Sequence, residues 1–357
     1  DDDEIEHPPV ECVFTTEEEV GLNGAKALDK SVLKARTMIN MDSEDEGVAT
    51  VSCAGGLRVQ FTKEIKRTTV QGSLLTLKVE GLLGGHSGQD IDKERQNADL
   101  LMARMIQRLL KETKGQLVSF NGGTKDNAIP RECEASLIYE SDEEAAKAEE
   151  LACELAETYA EELTPAEPDF SCEISCETNR TAEAIPQDAA KEFICAMRLA
   201  PNGIQKRNIK MDGFVVVSLN LGVVRTEEDR IVMIFSPRSS VASLQEDTKE
   251  RLNTLAETFG FTVSHSSEYP GWSFKEDSPV REICKESYKE LFGEDLKIEA
   301  IHAGLECGLF SDAIKGLDAI AIGPTIANCH TPDEYLTLDS FERFYEFLKD
   351  ILSRLAK

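Results

Sequence analysis

Three short apolar segments of the chain are each followed by side chains that could hold a metal ion or transfer a proton. These side chains are, in chain order, the triplet Glu17, Glu18 and Glu19, then Asp42, then His330. Adjacent carboxylates raise one another's pKa, and a bound cation would offset that cost. Carboxylate oxygen and imidazole nitrogen, without thiolate, suit catalytic Zn²⁺, Mn²⁺ or Co²⁺. The natural chemistry of such a site is hydrolysis of a polarised carbonyl.

Each of these side chains also has a purely structural interpretation. An isolated glutamate triplet is often a solvated acidic turn. An aspartate such as Asp42, where a strand gives way to a loop, is often a helix or turn cap. A lone loop histidine such as His330 is often a surface residue. The metal-site interpretation therefore depends on all of them lying at one place in the fold.

The three apolar segments predict buried strands of the parallel-sheet kind at residues 10–14, 37–41 and 319–324. Ligands of open α/β sheets gather at the carboxyl ends of the strands. We therefore expect the carboxylates and the histidine to converge on one edge of an α/β sheet.

The sequence between residues 58 and 270 has a different pattern, with alternating or apolar strands between helices. Strands are predicted at residues 74–79, 116–120, 135–139, 214–224 and 231–235, and helices at 93–111, 143–163, 187–198 and 242–259. This order predicts an inserted α+β domain of two ferredoxin-like halves. An α/β pattern returns afterwards, with helices at 280–292, 306–314 and 340–355 and a strand at 297–301. The predicted domains are residues 1–57 and 271–357, which form one α/β domain, and the insertion 58–270.

Composition excludes several classes of function. With 39 Lys and Arg against 67 Asp and Glu, the formal net charge is −28, and a chain this acidic is not expected to bind nucleic acid. No apolar run is long enough to span a bilayer, and the acidic first residues are unlike a signal peptide, so we expect a cytoplasmic protein without a membrane partner. Ten scattered cysteines are expected to be free, mostly buried thiols.

Several separated motifs recur along nearly the whole chain. They are residues 14–21 (FTTEEEVG), 40–47 (NMDSEDEG), 52–56 (SCAGG), 84–91 (GGHSGQDI) with Asn97 and Ala98, 126–132 (DNAIPRE), 302–310 (HAGLECGLF) and 323–332 (GPTIANCHTP). Together and in this order they resemble the aminoacyl-histidine dipeptidases, the carnosinase-like branch of the two-metal dipeptidase and aminoacylase superfamily. The resemblance implies a zinc-peptidase-like α/β catalytic domain in which residues 58–270 form an α+β lid.

The resemblance implies roles for the residues at the sheet edge. Glu18 would be the general base that activates a metal-bridging water. Glu19, Asp42 and His330 would be ligands of two divalent metal ions, most readily zinc, with manganese or cobalt as alternatives. The implied substrate is a dipeptide, of the Xaa-His type.

The resemblance also implies residues that contact the substrate. His86, in the His-Ser-Gly motif, would help to stabilise the oxyanion of the tetrahedral intermediate. Asn127 and Arg238 would contact the substrate, Arg238 as a fork for the dipeptide carboxylate. Gly304 would complete the carboxylate pocket with its backbone. A homodimer formed through the lid is a further implication.

The superfamily pattern also contains a His-x-Asp pair and a bridging aspartate upstream of the glutamate triplet, and neither occurs there in this sequence. One metal ligand, the bridging carboxylate and the first elements of the catalytic domain are therefore expected to be missing. One interpretation is a truncated dipeptidase that is inactive or weakly metal-binding by itself. The other is a non-enzymatic relative that binds peptides or dimerises through the lid. We favour the first, because the downstream motifs, including Glu18, are intact.

Overall fold

The structure is a computed structural model that describes residues 5–18, 21–209, 213–329 and 331–357. The helices of these ranges are α1 (Asn23–Ala27), α2 (Ala98–Glu112), α3 (Asp142–Leu163), α4 (Gln187–Leu199), α5 (Ala242–Thr258), α6 (Pro279–Phe292), α7 (Glu306–Ala313) and α8 (Leu338–Leu355). The strands are β1 (Thr37–Asn40), β2 (Val48–Cys53), β3 (Gly55–Glu64), β4 (Thr68–Glu80), β5 (Gly85–His86), β6 (Gln116–Gly122), β7 (Ala128–Ile129), β8 (Cys133–Tyr139), β9 (Ser171–Ala184), β10 (Gly203–Arg207), β11 (Val215–Thr226), β12 (Arg230–Ser239), β13 (Thr262–Tyr269), β14 (Lys297–Ile301), β15 (Asp318–Ala321), β16 (Ile326–Ala327) and β17 (Tyr335–Leu336). The predicted mixed α/β class is confirmed.

The chain folds into two compact units, and the first contains a small sheet. This unit comprises Asp1–Gly55, Ser239–Ala242 and Tyr269–Lys357. Its strand order is β1-β15-β2-β14, and β1 runs parallel to β15 with Asn40 opposite Ala321. Two of the three predicted apolar strands are therefore neighbours that end at the same edge of the sheet, where Asp42 follows β1.

The first of the three predicted strands is wrong. Residues 10–14 form no strand, and the Phe14 side chain is 91% exposed. The segment is held through a side chain instead, because the Glu11 carboxylate accepts hydrogen bonds from the backbone N–H groups of Lys34 and Ala35 at 2.9–3.2 Å. A short apolar run shows that a strand is possible but not that a neighbouring strand pairs with it.

The second unit comprises Gly56–Arg238 and Ser243–Glu268. Its main sheet has the strand order β13-β3-β12-β11-β6-β8-β4-β9, and β10 pairs with β11. The core includes an edge-to-face contact of Phe120 with Phe193, whose ring centroids are 5.4 Å apart. The arrangement as two ferredoxin-like halves and the predicted domain limits stay predictions.

Helix α2 shows why the helices of this unit begin where they do. The predicted helix began at residue 93, but the observed one begins at Ala98, because the Asn97 side chain accepts the N–H groups of Asp99 and Leu100 as an N-cap. The buried residues of α2 recur at helical spacing and face the core. The acidic helix α3 likewise buries only Ala145, Ala148, Ala152 and Tyr159.

In the described ranges, none of the helices is both long and apolar enough to cross a lipid bilayer.

Candidate active site

The turn that carries Glu18 is fixed by the start of α1. The backbone N–H groups of three consecutive residues there donate to the carbonyl oxygens of Thr16, Glu17 and Glu18, at 2.8–3.1 Å. A Cβ on Gly24 would lie 2.3 Å from the Thr16 carbonyl oxygen, so this close approach requires glycine. Glu18 is half-buried. The predicted base therefore lies on a backbone turn with a defined conformation rather than on a loose acidic loop.

A second element, helix α7, also contacts this segment. The Thr15 hydroxyl donates to Oε2 of Glu306, the first residue of α7, at 3.0 Å. Glu306 is nine-tenths buried, and within the described residues its Oε1 atom has no hydrogen-bond partner. Sequence reasoning did not assign a role to Glu306, although it lies in the motif of residues 302–310.

Asp42 is exposed and lies beyond the end of β1, with its backbone N–H donating to Oδ1 of Asn40 at 3.1 Å. The Asp42 charge acts on Cys307, near the start of α7. The pKa of the Cys307 thiol is raised well above its ordinary value, mainly by burial and further by the nearby Cys53, Glu306 and Asp42. The charges of Asp42 and Glu306 therefore both act on a thiol at the N-terminal end of α7.

The other two predicted metal ligands, Glu19 and His330, lie outside the described residues. Within residues 5–18, 21–209, 213–329 and 331–357, no group of three or more His, Cys, Asp or Glu side chains is placed to hold a metal ion. By donor chemistry, two carboxylates and one imidazole fit a divalent ion such as zinc. Of this set, the structure describes Asp42 alone.

His86 lies in the second unit, in a small two-stranded sheet in which β5 pairs antiparallel with β7. Its Nδ1 atom accepts the backbone N–H groups of Gly88 and Gln89 at 3.2 and 3.1 Å. Its own backbone N–H donates to Oδ2 of Asp90 at 2.8 Å. Because Nδ1 accepts hydrogen bonds, the proton of the neutral imidazole is on Nε2.

The surroundings of His86 favour that neutral form. Partial burial lowers the pKa of the imidazole, the positive charge of Arg238 lowers it further, and the Asp90 carboxylate opposes both. At neutral pH His86 therefore presents one Nε2–H donor with a fixed tautomer. In this form Nε2 can donate a hydrogen bond to an anionic oxygen.

Asn127 lies on a loop that is hydrogen-bonded to the residue after His86. The Asn127 carbonyl oxygen accepts the backbone N–H of Ser87 at 2.9 Å, while the Asn127 residue is exposed. The adjacent Asp126 carboxylate is 2.9 Å from Nε of Arg58, and this hydrogen bond lowers the pKa of Asp126. A Cβ on Gly222 would lie 2.4 Å from the Asp126 carbonyl oxygen, so the loop lies directly on β11.

Arg238, near the end of β12, is buried with 7% of its surface exposed. Such burial is unlike that of an ordinary surface arginine. Arg238 belongs to the second unit, as His86 does, and its positive charge lowers the pKa of His86. The structure thus brings His86 together with Asn127 through the backbone and with Arg238 through electrostatics.

Gly304 lies in the first unit, just before α7. A Cβ at this position would lie 2.8 Å from Cε2 of Tyr269. The glycine therefore allows the tyrosine ring to approach the backbone closely.

The chain resembles known proteins over almost all of its length. Residues 2–354 match the family described as "Peptidase family M20/M25/M40". The sequence is 33% identical over 360 residues to the "Cytosol non-specific dipeptidase" of Escherichia coli (strain K12), an alignment that covers 99% of this chain and 73% of that protein. The fold matches the crystal structure of aminoacylhistidine dipeptidase from Vibrio alginolyticus with a TM-score of 0.94 and 34% identity, covering 99% of this chain and 72% of that one.

Proposed function

Since the chain belongs to the peptidase family M20/M25/M40, we propose that it hydrolyses dipeptides and that Xaa-His dipeptides are among its substrates. The observation that carries the proposal is its similarity, along almost the whole chain, to a dipeptidase of known name. A shared fold alone would not carry an activity. Here the similarity also includes the segments that hold the candidate site.

Glu19, Asp42 and His330 are the residues that we propose to hold two divalent metal ions, zinc first, with manganese or cobalt as alternatives. When bound, such ions polarise the scissile carbonyl and lower the pKa of the attacking water. The donor chemistry of the three side chains supports this assignment.

Glu18 is the proposed general base. It takes a proton from the attacking water and passes it to the nitrogen of the leaving amine. Its half-buried position on the turn before α1 supports the role, because a base must be held in one geometry relative to the proton that it removes.

The remaining roles concern the substrate. His86 donates its Nε2 hydrogen to the oxyanion, and Asn127 contacts the peptide. The buried guanidinium of Arg238 binds the carboxylate of the dipeptide as a two-pronged donor. The backbone at Gly304 completes the carboxylate pocket.

The proposal extends to location and assembly. The name of the E. coli relative places that protein in the cytosol, and we assign this chain to the same compartment. Cysteines that are all free in the described structure agree with a reducing compartment. We also propose a homodimer formed through the second unit.

The test is hydrolysis of β-alanyl-histidine and other Xaa-His dipeptides by the full-length protein supplied with Zn²⁺, Mn²⁺ or Co²⁺. Glu18→Ala should keep its bound metal and lose about 10²–10⁴-fold in turnover. Glu17→Gln is the control, because Glu17 is exposed and, among the described residues, its carboxylate accepts one hydrogen bond, from Asn23 at 3.2 Å, that glutamine can also accept. Wild-type turnover in Glu18→Ala would remove the base assignment. Calorimetric dipeptide binding without any turnover would instead favour a non-catalytic, peptide-binding relative.

A further inference from the structure

A buried asparagine, Asn220, lies in the middle of β11 among apolar neighbours. It is 1% exposed, and a buried amide must find hydrogen-bond partners. Its Nδ2 atom donates to the carbonyl oxygens of Asp126 at 3.2 Å and Ala128 at 2.8 Å. One side chain thus holds the backbone on both sides of Asn127.

The orientation of that amide is set by a second buried asparagine. Asn97 uses Oδ1 to cap α2 and uses Nδ2 to donate to the Leu221 carbonyl oxygen at 2.8 Å and to Oδ1 of Asn220 at 3.5 Å. Because Oδ1 of Asn220 accepts this bond, its Nδ2 atom is directed at the loop. Asn97, which the sequence motifs include without a role, therefore acts on Asn220.

The loop held by Asn220 also pairs with the strand that carries His86. Ala128 lies opposite His86 in the two-stranded sheet, and the Asn127 carbonyl oxygen accepts the N–H of Ser87. Hydrogen bonds therefore connect the start of α2, through β11 and the loop, to the residue that follows His86.

We propose that Asn220, oriented by Asn97, is a positioning residue that fixes the loop of residues 126–128 and thereby the directions of the His86 imidazole and the Asn127 side chain. The catalytic roles of His86 and Asn127 rest on the proposed function. The way in which Asn220 holds the loop does not depend on it. Supporting side chains of this kind matter because a misplacement of about 1 Å at a reacting group lowers a rate about 10²-fold.

The decisive variant is Asn220→Leu, which keeps the branched shape of the side chain and removes both N–H donors. Nitrogen NMR of the imidazoles is the main readout, because it reports the tautomer and pKa of His86 without substrate. The expected result is a rise of the His86 pKa toward its ordinary value, because a shift of β5 weakens the burial and the Arg238 charge that lower this pKa, while Asp90 opposes both. Turnover should fall about 10–100-fold.

Two further variants keep the test falsifiable. Asn97→Asp keeps the oxygen that caps α2 but loses the donor to Asn220, so it should shift the His86 signals in the same direction even if Asn220→Leu fails to fold. Asn202→Ala is the control, because Oδ1 of Asn202 accepts one hydrogen bond from the described residues, from the N–H of Leu221, next to Asn220, at 3.1 Å. It should lower stability without changing the His86 signals.

Unchanged His86 tautomer and pKa in the folded Asn220 or Asn97 variant would overturn the positioning role. Absence of dipeptide turnover by the wild-type protein would overturn the proposed function alone, because the NMR comparison would still decide whether Asn220 positions His86.

Discussion

The Thr15 hydroxyl donates a hydrogen bond to the buried Glu306 carboxylate at 3.0 Å, although 291 residues separate the two in sequence. This bond joins the segment that leads into Glu18 to the first residue of α7. The other carboxylate oxygen of Glu306 has no partner among the described residues. Within those residues, Thr15 therefore supplies the hydrogen bond to this buried carboxylate.

We expect Thr15→Val to leave a buried carboxylate without a hydrogen bond on either oxygen. The free energy of unfolding should fall by about 1–3 kcal/mol, and turnover should fall as the turn at Glu18 loses its second support. Urea unfolding and steady-state kinetics measure the two effects. Thr248→Val is the control, since the buried Thr248 hydroxyl donates to the Leu244 carbonyl within its own helix α5. Equal losses in the two variants would contradict a special role for Thr15.

Substitution of Gly222 tests how closely the Asn127 loop lies on β11. The Cβ of Gly222→Ala would overlap the Asp126 backbone, with its carbonyl oxygen 2.4 Å away and its Cα 2.7 Å away. Because backbone cannot move aside like a flexible side chain, we expect a loss of about 3 kcal/mol in unfolding free energy and weaker dipeptide binding.

Gly203→Ala separates this overlap from the general cost of replacing a glycine. No atom lies within 4 Å of a Cβ at Gly203, and its φ of +74° imposes only a backbone cost, about 1 kcal/mol. Thermal unfolding of both variants makes the comparison. A Gly222 variant no less stable than the Gly203 variant would show that the loop is free to shift.

The sequence predicted β1, β15 and several strands of the second unit, and it missed others. β15 was predicted because its apolar run is buried, in a parallel pair with the less buried β1. β9 was missed because it ends the sheet order, beside β4, and most of its residues are exposed and polar. Polar edge strands are specified by pairing with a neighbour, and that pairing leaves little periodicity in the sequence.

The candidate site shows the same limit. Motifs proposed Glu18, His86 and Asn127 as candidates, because the proposed chemistry restricts those residue types. The supports of these residues depend on contacts between distant segments, with Asn220 92 residues from its partner Ala128. In the sequence, Asn220 is recognisable only as an amide within the apolar run of β11. That pattern does not show to which carbonyl oxygens the amide donates.

Protonation of His86 should make stability depend on pH. Its pKa is lowered in the fold, mainly by burial, so as pH falls through about 6.5 the unfolded chain takes up the proton first. The free energy of unfolding should therefore be at its full value above that pH and decrease below it. Urea titrations between about pH 5 and 7.5 should show this decrease, and His86→Gln should reduce it. The same pH slope in both proteins would contradict the assignment.

Asp99 should make stability depend on pH in the opposite direction. This carboxyl has no exposed surface, and burial raises its pKa to about 8, against the smaller opposing effects of the Cys133 thiol and the Arg225 charge. Between its ordinary pKa of 3.8 and about 8, the folded chain keeps a proton that the unfolded chain releases. Its contribution to stability therefore decreases as pH rises through this range.

Asn has nearly the shape of the protonated carboxyl and does not titrate, so we expect Asp99→Asn to be more stable than the wild type at neutral and alkaline pH. The difference in urea midpoint should grow between about pH 5 and pH 9. Asp90→Asn provides the contrast, because the Lys93 ammonium lowers the pKa of Asp90. That charged carboxylate stabilises the fold above its ordinary pKa, so Asp90→Asn should be less stable at neutral pH. A pH-independent effect of Asp99→Asn would mean that Asp99 is ionised in the folded protein.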